Sequence, residues 1–573
     1  MPDVSGIDKV FDYLVPDPLR ERAWVGAKVR VNLNNRRVGG WIVALHTETA
    51  RQDTSYEVDR LLPIVSVSGH GVEPELVELT RWMSETFFGS WRATLASASA
   101  PHLRARVVHS HHGATREHGV DEVSTSVRTR RSGGGGLVVV PPLGSALSVI
   151  AEMSQSGSVL AVCPTHKMAT LGAASLRRKG ITTAVIPEQW DAARAGVDVV
   201  IGARSAVLAP CASLSGIVVI DEHDELLHEE RSPTWNAVDV ARQRAQLAKV
   251  PLIVTSPVPS AESLHHFTDS VTIARTTQQW PAIEIVDLGE VPVAGSLLSS
   301  QLLAAVSNEK MSVACVLNTK GKSRLIVCRS CREVQLCPQC RSLLAQDDDV
   351  LVCLRCGDEH GAVCLTCGRT SFLVPRGGMG QLAGQIRASV GRDVVEVSGE
   401  SDENLGDGSI YVGTEAVLHR VTRVDVVVFA DIDRDLGAPR VTAAREVLAL
   451  VTRAARVVGD RGTIIIQTRL TEHPVIAALA SDEPFDALLR WCESDLQQRH
   501  VFSLPPFSQL VRVNVRAPHS VDEVPELDGI DIARHNDNVI LKSTDRTALE
   551  AGIQTLRQLF GTHIAVYCDP VRY

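Results

Sequence analysis

Eight cysteines between Cys328 and Cys367 constrain this chain more than any other feature. They form four Cys-x-x-Cys pairs: Cys328/Cys331, Cys337/Cys340, Cys353/Cys356 and Cys364/Cys367. Each pair sets two thiolates on one tight turn, half of what a tetrahedral zinc requires. Two turns close a site, so four turns make two sites. A nested arrangement joins the outer turns around one ion and the inner turns around the other; a sequential arrangement is also open. A disulfide cluster is the competing reading. The N-terminus, MPDVSGIDKVFDYLVPD, lacks the basic-then-apolar order of a secretory segment, and CxxC pairs in an intracellular chain favour metal or redox chemistry. A thioredoxin-like role needs one such pair on a βαβ unit, not four in succession. Four thiolates per ion leave no open coordination position, so both zincs are expected to be structural. The other cysteines, Cys163, Cys211, Cys315, Cys492 and Cys568, mostly lie in or beside apolar runs and read as buried thiols.

The 573 residues have room for three or four domains, and the 44% apolar content is ample for their cores. A net charge of −9 argues against blanket affinity for nucleic acid but leaves room for a local basic face. No apolar run reaches membrane-spanning length, so a soluble, cytoplasmic chain is expected.

Residues 1–100 read as a small β-rich domain. Ala27 to Val31 and Val38 to Val43 alternate as strands around an Asn34-Asn35-Arg36-Arg37 turn, and Glu75, Leu76, Leu79 and Trp82 mark a helix to about Phe88. Aromatics beside arginines can stack a base and hold a phosphate; Phe11, Tyr13 and Trp41 can equally be core residues. Residues 101–136 carry arginines 104, 106, 116, 128, 130 and 131 and end in four glycines, which reads as a basic flexible linker. Short apolar runs then alternate with helical stretches. They lie at Leu137–Val140, Val159–Val162, Val197–Ile201, Gly216–Ile220 and Leu252–Thr255, as expected of parallel strands buried on both faces. The rhythm resumes at Val313–Leu317, Val394–Val397, Ile410–Val412, Val424–Phe429 and Thr463–Ile466. The expected fold is therefore multidomain α/β: a first lobe over 137–290, a second over 291–327 and 371–500, a two-zinc module over 328–370 inserted in it, and a small α+β domain over 501–573.

Two such lobes point to a nucleic-acid motor that binds ATP between them. That engine needs a phosphate loop, G-x-x-x-x-G-K-[ST], after the first strand. Here the stretch is Pro141-Pro142-Leu143-Gly144-Ser145-Ala146-Leu147-Ser148. Leu147 stands in the lysine position, and neither proline has an amide to donate. Gly144, Ser145 and Ser148 are what remains of a cofactor loop, and ATP with Mg²⁺ is not expected to be held in the usual way. Asp221-Glu222-His223-Asp224 after the fourth strand would hold Mg²⁺ and poise water in a working motor; with this loop, Asp221 and Glu222 read as relics. Arg453 and Arg456 lie where the second lobe would supply arginine fingers, and they read as surface helix residues.

Together these segments resemble the PriA family, primosomal protein N-prime, which restarts collapsed replication forks. Phe11-Asp12-Tyr13-Leu14-Val15-Pro16 is similar to the opening of its 3′-DNA-end-binding domain. Gly202 to Ala206, Ile220 to Asp224 (one residue short), Gly413-Thr414-Glu415 and Leu504 to Ser508 resemble its G-T-R-S-A, I-D-E-E-H-D, G-T-Q-M and Y-P-P-F-S segments. The departures are equally specific. The G-x-T-G-S-G-K-T loop is replaced by Pro141 to Ser148, and S-A-T-P-S by Ser256 to Ser260. The K-G-H-D core is lost between Gly413 and Arg423. Ala455 and Val458 stand at the arginines of Q-V-x-G-R-A-G-R. A winged-helix domain has no room in the linker. The pattern resembles the helicase-deficient actinobacterial branch.

The resemblance implies nested zinc sites, with Cys328, Cys331, Cys364 and Cys367 around one ion and Cys337, Cys340, Cys353 and Cys356 around the other. It places a nascent DNA 3′ end at Phe11, Asp12 and Tyr13. It implies branched and single-stranded DNA, primosome proteins, single-strand-binding protein and the helicase-loading system as partners, with no membrane. The expected function is replication restart on forks without unwinding. An active ATP-dependent helicase with an atypical site, and a zinc-held protein adaptor, are the rival readings.

Overall fold

The computed structural model describes residues 1–46, 61–100, 122–276, 279–291, 296–318, 325–347, 349–373, 378–398 and 409–569. At the N-terminus, strand Ala27–Leu33 sits between antiparallel neighbours Arg36–Trp41 and Ser66–Gly71. Asn34 and Asn35, both at positive φ (48° and 59°), make the tight turn, a shape asparagine tolerates and one that suits the twist of paired strands. Val29, Val31, Ile64 and Val67 form a small core under this sheet. Helices Pro74–Thr86 and Trp91–Ser97 follow. Trp41 is buried, and its indole donates to Ser99 Oγ at 2.9 Å.

The first lobe is a seven-stranded parallel sheet. Its spatial order is Val271–Ile273, Gly135–Val139, Leu252–Ser256, Leu214–Val219, Ser158–Val162, Val199–Gly202 and Thr183–Ile186. The two edge strands, TAVI and VTI, were not expected; each is too short to stand out from its surroundings. The expected linker needs correction. Residues 101–121 lie outside the described residues, but Glu122–Ser132 is a helix. Val123 and Val127, one turn apart, enter the lobe's core, while Arg128 and Arg131 pair with buried Glu152. Two apolar anchors, with the small Ser124 and Ser126 buried beside them, are enough to seat this helix.

The second lobe is a six-stranded parallel sheet in the order Ala282–Asp287, Thr463–Thr468, Val426–Phe429, Val313–Val316, Ile410–Gly413, Val395–Val397. Ala282–Asp287, expected within the first lobe, pairs along its length with Thr463–Thr468. The second sheet therefore starts before residue 291. It is an edge strand with alternating exposure, so it lacks the continuous apolar run that marks its neighbours.

The C-terminal sheet runs Asp531–His535, Asn538–Ser543, Gln509–Val515, Ile564–Cys568. Helix Arg546–Phe560 joins the two strands that flank Gln509–Val515, both antiparallel to it, which is a split βαβ unit. One buried apolar cluster runs from Trp41 and Leu79 through Leu160 and Phe429 to Leu541. The N-terminal domain, both lobes and the C-terminal domain are thereby packed against one another. All five cysteines outside the pairs are buried. Among the described residues, no helix is long and apolar enough to cross a membrane.

Candidate metal centres and the interlobe cleft

The four cysteine turns share one backbone shape. The residue after each second cysteine is left-handed: Arg332 (φ 63°), Arg341 (60°), Gly357 (76°) and Gly368 (71°). Its amide donates back to the first cysteine's carbonyl at 3.0, 2.8, 2.9 and 2.9 Å respectively. Two turns carry glycine there, at no steric cost, and two carry arginine against its preference. The repeated geometry points each sulfur pair outward.

The turns associate in nested fashion. Cys328, Cys331, Cys364 and Cys367 form one group and Cys337, Cys340, Cys353 and Cys356 the other, with all sulfurs of a group within 4.8 Å. The cross-turn Sγ–Sγ distances are 3.5, 3.6, 3.6 and 3.4 Å. A disulfide needs about 2.05 Å, whereas four sulfurs about 2.3 Å from a zinc stand roughly 3.8 Å apart. The groups therefore fit a tetrahedral metal and not a disulfide. Asp358 and His360 lie close enough to Cys337 to make an alternative ligand group at the inner site. Burial works to raise the Cys364 thiol, but the amides of Cys367 and Thr366 outweigh it and pull it down to about 6, which favours the thiolate a metal requires. Gln335, 1% exposed, donates to Cys364 Sγ and accepts from the Leu365 amide, holding the outer site's shape. The module is fastened to the second lobe: Arg332 donates to the Gly289 and Val291 carbonyls. Leu343 lies against Gly437 so closely that a Cβ there would meet its Cγ at 2.1 Å.

The cleft between the lobes is the second site. Strand Gly135–Val139 leads through Pro141 and Pro142 to helix Ala146–Met153, so the strand–loop–helix outline of a phosphate site survives. Its chemistry does not. The Gly144 amide is spent on the Pro141 carbonyl at 2.8 Å. Leu147 packs against the lobe's own core and beside Gly172. Asp221 sits at φ 57° just past its strand, and its carboxylate is bound to Arg456 of the second lobe. The same guanidinium donates to the Pro142 carbonyl at 3.3 Å.

Arg453 donates to Asp224 Oδ2 at 2.5 Å and contacts His419. Arg445 donates to Glu262 at 2.8 Å. All three arginines come from helix Ala443–Val458, where steps of eight and three residues put them within about 80° of arc. The reading of Arg453 and Arg456 as surface residues is thus corrected. Their side chains are 16% and 28% exposed and span the lobes. Arg445 was missed, and its spacing with the other two was the available signal.

Glu222 is also committed. It accepts from the Ser260 amide at 2.7 Å and hydroxyl at 2.6 Å. Burial pushes it above the ordinary carboxylate range while Ser260 pulls the other way. Burial lowers His223 to about 4. Burial would raise Asp224, but Arg453, His223 and the Leu226 amide hold it below the usual value. These donors and acceptors fit a Mg²⁺–nucleotide pair poorly: Asp221 already holds a guanidinium, the loop has no lysine, and its Gly144 amide is bonded within the loop. A cavity of about 700 Å³ opens beside these bridges, walled by Trp82, Asp224, Arg453 and Arg546 from all four domains.

At the N-terminal domain, Asp12 is exposed and Phe11 and Tyr13 are half-buried. Lys9 lies over the Phe11 ring at 5.9 Å. The Tyr13 hydroxyl donates to the Asn32 carbonyl at 3.1 Å, which sets this segment alongside the first hairpin. Trp41 is core and offers no stacking face.

Residues 2–100 match the family model described as the 3′DNA-binding domain (3′BD) of PriA. The chain is 27% identical over 359 residues to a replication restart protein PriA of Thermotoga maritima, covering 58% of this chain and 48% of that one. It is 25% identical over 362 residues to the PriA of Haemophilus influenzae (58% and 49%) and 28% identical over 356 residues to that of Treponema pallidum (56% and 52%). The chain thus spans about half the length of the curated relatives it matches. Among solved structures, the Escherichia coli helicase HrpB overlays 61% of this chain and 42% of its own at 11% identity and a TM-score of 0.33, too low for any inference about chemistry.

Proposed function

We propose that this chain, similar to replication restart proteins PriA over more than half its length and carrying a match to their 3′DNA-binding domain, is a member of that family that binds branched DNA at stalled forks and scaffolds reloading of the replication machinery without unwinding DNA. The observation that carries the reading is the helix Ala443–Val458, whose Arg453 and Arg456 reach into the first lobe and hold Asp224 and Asp221. Where a motor of this shape opens and closes on ATP, this chain ties the two lobes together with its own cations. In this reading the nascent 3′ end is received at Phe11, Asp12 and Tyr13, and the work is cytoplasmic, on the nucleoid. Primosome proteins, single-strand-binding protein and the helicase-loading system are the partners. Two zinc ions occupy the Cys328/Cys331/Cys364/Cys367 and Cys337/Cys340/Cys353/Cys356 sets. Each supplies a covalent-strength crosslink that such a small sheet cannot obtain from burial alone.

The test is a binding titration on a fork with a free or a blocked 3′ end, with and without ATP, together with a strand-separation assay. Tight binding that needs the free end, unchanged by ATP and without strand separation, is expected. ATP-dependent unwinding that Asp221→Asn abolishes would overturn the reading.

A further inference from the structure

The hairpin formed by Ala27–Leu33 and Arg36–Trp41 is basic, against the acidic balance of the whole chain. The whole chain has 67 acidic against 58 basic residues. Between Ala27 and Trp41 there are four basic residues, Lys28, Arg30, Arg36 and Arg37, and no acid. Arg30, Arg36 and Arg37 are exposed, and among the described residues no ion pair is formed by any of the three. Arginines elsewhere in this molecule are heavily engaged, as Arg92 with Asp3 and Arg194 with Glu73 in the same region show. Arg37 lies opposite Asn32 and Arg30 opposite Gly39, so Arg30 and Arg37 share one face of the ribbon as diagonal neighbours, with Arg36 on the other. The turn residues Asn34 and Asn35 are exposed too. The outer edge of the ribbon is covered near its base, where Pro2 bridges Gly40 and the Asp3 amide donates to the Gly39 carbonyl.

We infer that this ribbon lies along a duplex arm of the fork, with Arg30, Arg36 and Arg37 on its phosphates. The inference rests on the proposed function and deepens it. The Tyr13–Asn32 hydrogen bond puts the segment proposed to receive the 3′ end beside the ribbon, so the duplex ending there would run past these arginines. A two-stranded ribbon is also narrow enough to follow a major groove. Its cationic side chains, without an ion pair among the described residues, would give sequence-independent affinity by displacing counterions from DNA.

The experiment compares wild type with Arg30→Gln/Arg36→Gln/Arg37→Gln by fluorescence anisotropy, over a range of salt. The two probes are a fork with a duplex arm and free 3′ end, and a single strand with a free 3′ end. The variant's thermal transition is measured alongside, and it should match wild type because all three side chains are at the surface. The expected result is a fork-binding salt slope smaller by about three and fork affinity roughly tenfold weaker at low salt, with single-strand binding unchanged. An unchanged slope and affinity on the fork would overturn the inference while leaving 3′-end capture intact. Equal weakening on the single strand would overturn it in favour of a strand-binding ribbon. Wild type that binds neither probe would sink the inference and the proposed function together.

Discussion

The cysteine turns and the loop after the first strand are both short backbone devices for holding an ion, and they have met opposite fates. Each cysteine turn keeps its first carbonyl bonded to the amide after its second cysteine, and its sulfurs stand 3.4–3.6 Å from their partners across the site. The loop from Pro141 to Ser148 has the strand–loop–helix outline but two prolines without amides and a leucine in place of the lysine. Its place opposite Asp221 is taken by Arg456 from the other lobe. The cysteine turns gather both sulfur sets within one short stretch of chain. The interlobe cleft can only be understood from both lobes at once. A site whose ligands lie on one short stretch advertises itself; a site shared between lobes can change owner without leaving a local trace.

The contrast breaks first, if it breaks, at the metal. Elemental analysis should return two zinc ions per chain, falling to one in Cys337→Ser. Structural zinc is worth about 10–16 kcal/mol to small modules at neutral pH, so chelation should melt residues 328–370, read as loss of protection from proteolysis there. A chain without zinc that keeps its protection would end the distinction between the two sites.

Next in size is the interlobe pair. Arg456→Ala leaves Asp221, whose side chain is 3% exposed, without its cation. Breaking such a pair costs about 3–5 kcal/mol, measured by denaturant unfolding. The double variant Arg456→Met/Asp221→Asn, whose asparagine tolerates the left-handed backbone at 221, should recover most of that loss. If Arg456→Ala unfolds like wild type, the bridge does not hold the lobes.

A smaller effect is expected from acid. Burial holds His419 near 4, with Arg453 adding to it, and His223 is similarly depressed. Between about pH 6.5 and 4 the unfolded chain takes up protons that these folded imidazoles refuse, so their contribution to stability is lost as pH falls through that window. His419→Gln should move the acid-unfolding midpoint to lower pH, followed by circular dichroism. An unmoved midpoint would assign the acid limb to other groups.

The smallest expected effect is none. Leu147→Lys should not confer nucleotide binding in a fluorescent-ATP titration, because Pro141, Pro142 and Arg456 still occupy the loop's mouth. Micromolar binding would show that the lysine alone had been missing.

How much could be read beforehand follows the same division. Continuous apolar runs such as Val159–Val162 and Val426–Phe429 gave away the buried centres of both sheets. Edge strands such as Ala282–Asp287 and Asp531–His535 did not, since few or none of their side chains are fully buried. The helix Glu122–Ser132 was hidden because only Val123 and Val127, with two small serines, are buried. The eight cysteines were plain, and the nested grouping agrees with what the family resemblance implied. Arg453 and Arg456 were noticed but misplaced. A helical arginine looks the same in sequence whether it faces solvent or a carboxylate more than two hundred residues away.

The guanidinium over the first lobe's loop carries one more consequence. Under the proposed function, a cleft neutralised from within would leave the protein without a means of reading the cell's energy charge. Its residence on DNA would then answer to ionic strength and to partners, and a starving cell with a depleted adenylate pool would retain it at broken forks as readily as a growing one.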